Sequence, residues 1–241
     1  MKKFIIPLLL FVVLIHANAT VYTVNIHLEP DISKKIYASL QAAHDAASAN
    51  DTIYVERYNT DDDYSTITIS KPLYIIGPGY FPGENPSVQA NQNIVVLYDM
   101  ELSSGAVGTK LEGLQVYYNI GLYANDVTIT HCNLGVDVEE DVDNLTITKT
   151  YLNELDAYYN IINNLMVSNC LIQDDFQIKE GTSGIIINNT FGFANSTYAY
   201  LNIPTGITFK NNIVKAGDSH NVTLPALPNT DISHNLQEIR Y

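Results

Sequence analysis

The chain has no tryptophan, only two cysteines, and only two arginines, Arg57 and Arg240, among its 241 residues. It also lacks any Gly-x-Gly-x-x-Gly, P-loop, Cys-x-x-Cys or nucleophile-elbow segment, which removes the usual signatures of dinucleotide, nucleotide-triphosphate, dithiol and serine-hydrolase chemistry. Cations are scarce: twelve Lys and Arg stand against 26 Asp and Glu, a formal charge of −14. Such a surface repels nucleic acid and anionic lipid head groups and suits cations, neutral glycans or a basic protein partner. The six histidines form no ligand set. His131 and His234 share one position of the repeat described below but lie five coils apart, about 24 Å at strand spacing, too far for one metal ion. His44 falls on a helix, where a solvent-facing or satisfied role is expected.

Long apolar runs are also absent, with one short exception. Lys2-Lys3, the apolar stretch from Phe4 to Ile15 and Ala17-Asn-Ala have the three regions of a secretory leader, and the run is too short to span a bilayer. Removing residues 1–19 takes Lys2 and Lys3 with it and moves the formal charge from −14 to −16. The expectation is an exported protein, extracellular, at the cell surface or in the periplasm, and the short Lys-Lys leader suggests a bacterial source.

What the chain does contain is a repeat. Asp126-Val-Thr-Ile-Thr, Asn144-Leu-Thr-Ile-Thr, Asn164-Leu-Met-Val-Ser, Gly184-Ile-Ile-Ile-Asn and Gly206-Ile-Thr-Phe-Lys recur about every twenty residues, a period that means stacked coils of a solenoid. Aligned on their second apolar residue they place Ile129, Ile147, Val167, Ile187 and Phe209 in one column. Alternation within each coil predicts three short strands. The third carries inward Leu122, Val138, Ala157, Ile178, Leu201 and Leu224, two steps after Ile120, Val136, Leu155, Phe176, Ala199 and Val222.

At the bend after the motif, Asn169, Asn189 and Asn211 are expected to stack, because asparagine tolerates the bend and can hydrogen-bond its neighbours along the column. Cys132 and Cys170 share the next position of the repeat with Thr150 between them. Two layers separate the thiols by about 10 Å, beyond the roughly 7 Å limit on Cα separation in a disulfide. Two buried free thiols are expected.

Upstream, Val21 to Leu28 reads as a first strand. Ile36, Leu40, Ala43 and Ala47 make one face of a helix, placed to cover the open end of the solenoid. The organisation is then 1–19 leader, 20–50 strand and capping helix, and 51–241 about eight or nine coils. The coil begun at Asn229 has no evident cap, which leaves room for a partner or for a spacer role in a larger assembly.

Several of these segments resemble a known family. Ser39-Leu-Gln-Ala-Ala-His-Asp-Ala-Ala, Asn50-Asp-Thr-Ile-Tyr-Val, Lys71-Pro-Leu-Tyr-Ile-Ile-Gly-Pro-Gly and the phrases Gly121-Leu-Tyr and Asp126-Val-Thr-Ile-Thr look like the cap and coils of right-handed parallel β-helix proteins of the pectate-lyase-like superfamily. The resemblance implies an all-β solenoid with a short N-terminal helix. It implies little about activity, since that superfamily spans lyases, hydrolases and adhesins. The acidic loop Thr60-Asp-Asp-Asp-Tyr departs from the short Pro-Gly turn common in related chains.

In β-helix polysaccharide enzymes the cleft lies on the outer face of one sheet, which directs attention to the outward third-strand residues. These are Gly121 and Tyr123, Asp137 and Glu139, Asp156 and Tyr158, Gln177 and Lys179, Tyr200 and Asn202. Tyr123, Asp156, Tyr158 and Tyr200 are the candidate glycan contacts, since tyrosine faces stack on sugar rings while the hydroxyls hydrogen-bond. Resemblance to calcium-dependent pectate lyases would make Asp137, Glu139 and Asp156 calcium ligands and Lys179 the base that abstracts a proton next to a uronate carboxylate. The missing arginine weighs against that reading, and the chain lacks the Gly-His-Gly and Arg-Ile-Lys segments that resemblance to a polygalacturonase-like hydrolase would require. The leading expectation is a non-catalytic, cofactor-free protein presenting an acidic, tyrosine-bearing face to a polysaccharide or another surface protein.

Overall fold

In the computed structural model, residues 19–25, 28–57, 66–79, 96–192, 200–216, 221–223 and 236–239 are described. Nearly all the leader-like segment, the loop at 60–64 and Arg240 fall outside them, as do Ala199, Leu224 and His234. The coil from Asn229 falls outside as well, except for its strand Leu236–Ile239.

The chain winds as an all-β parallel solenoid of about seven turns. One sheet has ten strands, a second thirteen, and Val142–Asp143 with Ile162–Asn163 forms a two-stranded third. In the ten-stranded sheet the motif strands stack directly, Ile53 on Ile75, Leu111, Ile129, Ile147, Val167, Ile186 and Phe209. All of these point inward and are buried, as alternation demands when one face of a strand closes a core.

The thirteen-stranded sheet supplies the opposite wall. Ile67, Met100, Ile120, Val136, Leu155 and Phe176 form one inward column, and Ile69, Leu102, Leu122, Val138, Ala157 and Ile178 the next. The expected second and third strands are fused in the central coils into Gln115–Leu122, Asn133–Val138 and Tyr151–Ala157. They are separate on either side of these coils, as Val96–Leu97 and Asp99–Leu102 before and as Leu171–Ile172 and Phe176–Ile178 after.

Two registers differ from the sequence reading. The motif column passes through Ile186, with Ile187 one step beyond it. Gly184 causes the slip: it pairs with Leu165, and a Cβ there would come within 2.1 Å of the Leu165 carbonyl oxygen, so the glycine enters the strand and Ser183 takes the corner, accepting the Asn164 N–H. The third strand shifts by two at its next coil, because Leu201 pairs with Phe176, not Ile178, and Ile203 becomes the following buried residue.

The asparagine column survives the first correction, moved by one. His131, Lys149, Asn169, Asn188 and Asn211 occupy the left-handed bend, with φ between 51° and 58°, a conformation asparagine tolerates better than most residues. The side chains after them, Cys132, Thr150, Cys170, Asn189 and Asn212, are buried. Asn189 Oδ1 accepts the Cys170 N–H (2.9 Å) while its Nδ2 donates to the Val167 carbonyl (3.0 Å). Asn212 repeats the arrangement with the Asn189 N–H and the Ile186 carbonyl, each at 2.9 Å. Both cysteines are free and buried, as expected, and burial pushes their thiols up to about 12 for Cys132 and about 11 for Cys170, which makes them inert.

The cap helix spans Leu40–Ala46, shorter than the apolar pattern suggested. Ser39 starts it by accepting the Ala42 N–H, so Ile36 falls in a short strand beside Thr23. Leu40, Ala43 and Ala47 are buried, and Lys71 Nζ closes the C-terminal end on the carbonyls of His44 and Ala47.

Candidate functional site

The outward residues of the thirteen-stranded sheet form rows at coil spacing. One runs Thr68, Glu101, Gly121, Asp137, Asp156, Gln177 and Asn202. Two residues further along each coil stand Tyr123, Glu139, Tyr158 and Lys179. At Gly121 the first row has no side chain, and a Cβ there would meet nothing nearer than 3.8 Å. The gap opens a groove of about 370 Å³, with Met100 at its base and Thr66, Asp99, Glu101, Tyr118, Asn119, Tyr123, Asp137 and Glu139 around it.

A third row, which the sequence reading did not use, lies one step before the inward column: Asn119, Gly135 and Asp175, with Glu154 beside Gly135 across the bulge in Tyr151–Ala157. Gly135 is essential to it, since a Cβ would lie 2.0 Å from Asn119 Oδ1. In that space the Asn119 amide donates to both Asp137 oxygens (3.1 and 3.0 Å) and to Glu154. Burial raises the carboxyls of Asp137 and Glu154 above their ordinary values; the Asn119 bond opposes this, while Asp156 and Asp99 add to it at Asp137, and Asp137, Asp174 and Asp175 at Glu154. Asp175 is raised too, mainly by burial. The signal for this row was present in the sequence, two residues before each outward position, as alternation requires.

The expected site residues are brought together only in part. Tyr123, Asp137 and Glu139 line the groove, and Asp137 and Asp156 are lateral neighbours. Asp156 Oδ1 accepts the Tyr158 N–H at 2.9 Å, leaving the Tyr158 ring 52 % exposed and edge-on to Tyr159. Lys179 Nζ donates to the Tyr159 carbonyl at 2.6 Å. Tyr200 sits beside Asp175, whose Oδ1 accepts its N–H, instead of in the Gln177 row as expected. Among the described residues no three His, Cys, Asp or Glu side chains converge as a metal site would. Tyr98, Tyr117 and Tyr118 form an aromatic cluster, with Tyr118 lining the groove and Tyr117 63 % and Tyr118 51 % exposed.

Comparison of the whole chain with solved structures returns the pectin methylesterase of Aspergillus niger in deglycosylated form, with 12% identity, a TM-score of 0.52, and 92% of this chain and 86% of that chain covered. A penultimately deglycosylated form of the same enzyme aligns with a TM-score of 0.42 at 12% identity, over 93% of this chain and 86% of its own. The chain is a right-handed parallel β-helix protein. No protein-family model and no curated sequence matches it.

One other constellation in the β-helix has the form of a nucleophile with its base. His44 Nε2 lies 3.3 Å from Ser70 Oγ, and Nδ1 lies 2.9 Å from Asp45 Oδ1. The same Nε2 accepts the Ser70 backbone N–H at 3.0 Å, so its lone pair is committed. With Gln41 holding both the N–H and the carbonyl of Thr68, the row staples the cap helix to the first coils, which is the satisfied role expected of His44. No helix among the described residues is long and apolar enough to cross a membrane.

Proposed function

We propose that this protein is an exported β-helix that binds a polysaccharide along the outer face of its thirteen-stranded sheet and does not cleave it. The observation that carries the reading is the groove at Gly121, because it brings Tyr118 and Tyr123 together with the Asn119 amide and the carboxyl groups of Asp99, Glu101, Asp137 and Glu139. Sugar rings present the complementary pair of surfaces, an apolar face and a ring of hydroxyls, and tyrosines next to hydrogen-bonding groups match both. The leader-like segment supplies the exported location. The likeness to pectin methylesterase speaks for the fold alone.

The test is retention of residues 20–241 on immobilised neutral, amino-bearing and acidic polysaccharides, with and without calcium, followed by mass spectrometry of the soluble fraction. Retention that falls about two- to tenfold in Tyr123→Ala, as loss of one stacking ring in the groove implies, supports the reading. Calcium-dependent unsaturated products would replace it with the lyase of Asp137, Asp156 and Lys179. Retention on nothing would leave a spacer.

A further inference from the structure

The groove is lined by two tyrosines, Tyr118 and Tyr123, and four carboxylates, Asp99, Glu101, Asp137 and Glu139, and among its lining residues there is no lysine, arginine or histidine. Gly121 makes the gap. Glu101 and Asp137 flank it in the same row, one coil to each side, each about 4.8 Å away at strand spacing. Tyr118 and Tyr123 stand at the edges, and Glu139 acts on Tyr123 strongly enough to raise its hydroxyl above the ordinary tyrosine value, with Glu101 adding to the effect. Tyrosine rings around a space whose other walls are negative form the setting in which an organic cation is held, the ring quadrupoles and carboxylates acting together. A bare metal ion fits poorly, because the carboxylates are spread over successive coils and do not converge.

Resting on the glycan-binding reading above, we infer that the Gly121 gap seats a protonated amino group of a sugar residue, so that the groove selects glycans with free amines over their N-acetylated or uronate counterparts. An acetyl cap removes the charge and adds bulk where the gap is narrow. A uronate brings a like charge into a groove that has no cation of its own, and the cost of such a pairing is highest where Asp137 is half buried. Three consecutive strands hold the gap in place, since Glu101 pairs with Gly121 and Gly121 with Asp137 across Asp99–Leu102, Gln115–Leu122 and Asn133–Val138.

The experiment compares glucosamine, N-acetylglucosamine and galacturonate oligomers of equal length by calorimetry at low and moderate salt. The expected result is binding of the glucosamine oligomer at least about tenfold tighter than the acetylated one, weakened by salt and by Asp137→Asn. Gly121→Leu, whose added side chain enters open space, should abolish it while leaving the thermal midpoint within a few degrees. Equal binding of the amino and acetylated oligomers overturns the amine seat and leaves glycan binding standing. Tighter galacturonate binding, or undiminished binding by Gly121→Leu, overturns it as well. Binding of none of the three overturns both readings for these sugars.

Discussion

The buried corner column of Cys132, Thr150, Cys170, Asn189 and Asn212 and the outward cluster of Asn119, Asp137 and Glu154 both set polar side chains of neighbouring coils against one another, yet their interactions differ. Inside, each asparagine oxygen accepts a backbone N–H, each nitrogen donates to a carbonyl, and Asn189 Nδ2 also donates to Asn212 Oδ1 at 3.1 Å, so a polar group sits in the core with its hydrogen bonds made. Outside, one amide is shared by two half-buried carboxyls among further carboxylates. The inner column stabilises the bend. The outer cluster is held against its own electrostatics, which is where function is expected when local rules are broken.

The comparison can be broken most sharply from the inside. Asn189→Ala removes the acceptor for Cys170 N–H and the donor to the Val167 carbonyl, leaving both buried, and should cost about 2–4 kcal/mol, read as a lower denaturant midpoint. A loss well under 1 kcal/mol would mean that the column is decoration. Gly135→Ala is the outward counterpart. Its methyl displaces the Asn119 amide, at a cost of about 1 kcal/mol, and should change how Asp137 and Glu154 titrate by carboxyl NMR. Unaltered titration would show that Asn119 does not hold them.

The smallest effect is on pH dependence. Asp137, Glu154 and Asp175 bind their protons more tightly folded than unfolded, so their contribution to stability is fully present below the ordinary carboxylate value and is lost as pH rises through the raised one. Thermal midpoints should therefore decline across that window in the wild type and less in Asp137→Asn. A midpoint that rises through the window instead would place the stabilising charges elsewhere.

Much of the fold was legible because burial repeats. Wherever Ile, Val or Leu alternates with polar residues at a fixed interval, only one phase closes a core, and Ile129, Ile147 and Val167 are stacked as their spacing said. The same argument fails at Gly184-Ile-Ile-Ile, where three identical side chains suit any phase, and pairing of Gly184 with Leu165 decides that Ile186 turns inward. It fails again near Leu201, where the strand enters against Phe176 instead of Ile178.

Among the groove's lining, Tyr123, Asp137 and Glu139 were singled out by alternation together with the resemblance that pointed to the sheet's outer face, whereas Asn119 and the gap at Gly121 were not, nor was Glu154 beside it. The sequence by itself determined the period, the free thiols and, outside the Gly184-Ile-Ile-Ile coil and the strand at Leu201, the inward face and the bend residues, because each follows from interactions within one coil or from a repeat that carries its own phase. The tertiary structure alone decided the groove. A missing side chain at Gly121 and a missing Cβ at Gly135 acquire meaning only from what adjacent coils place beside them, and bulges in the strands set which residues those are.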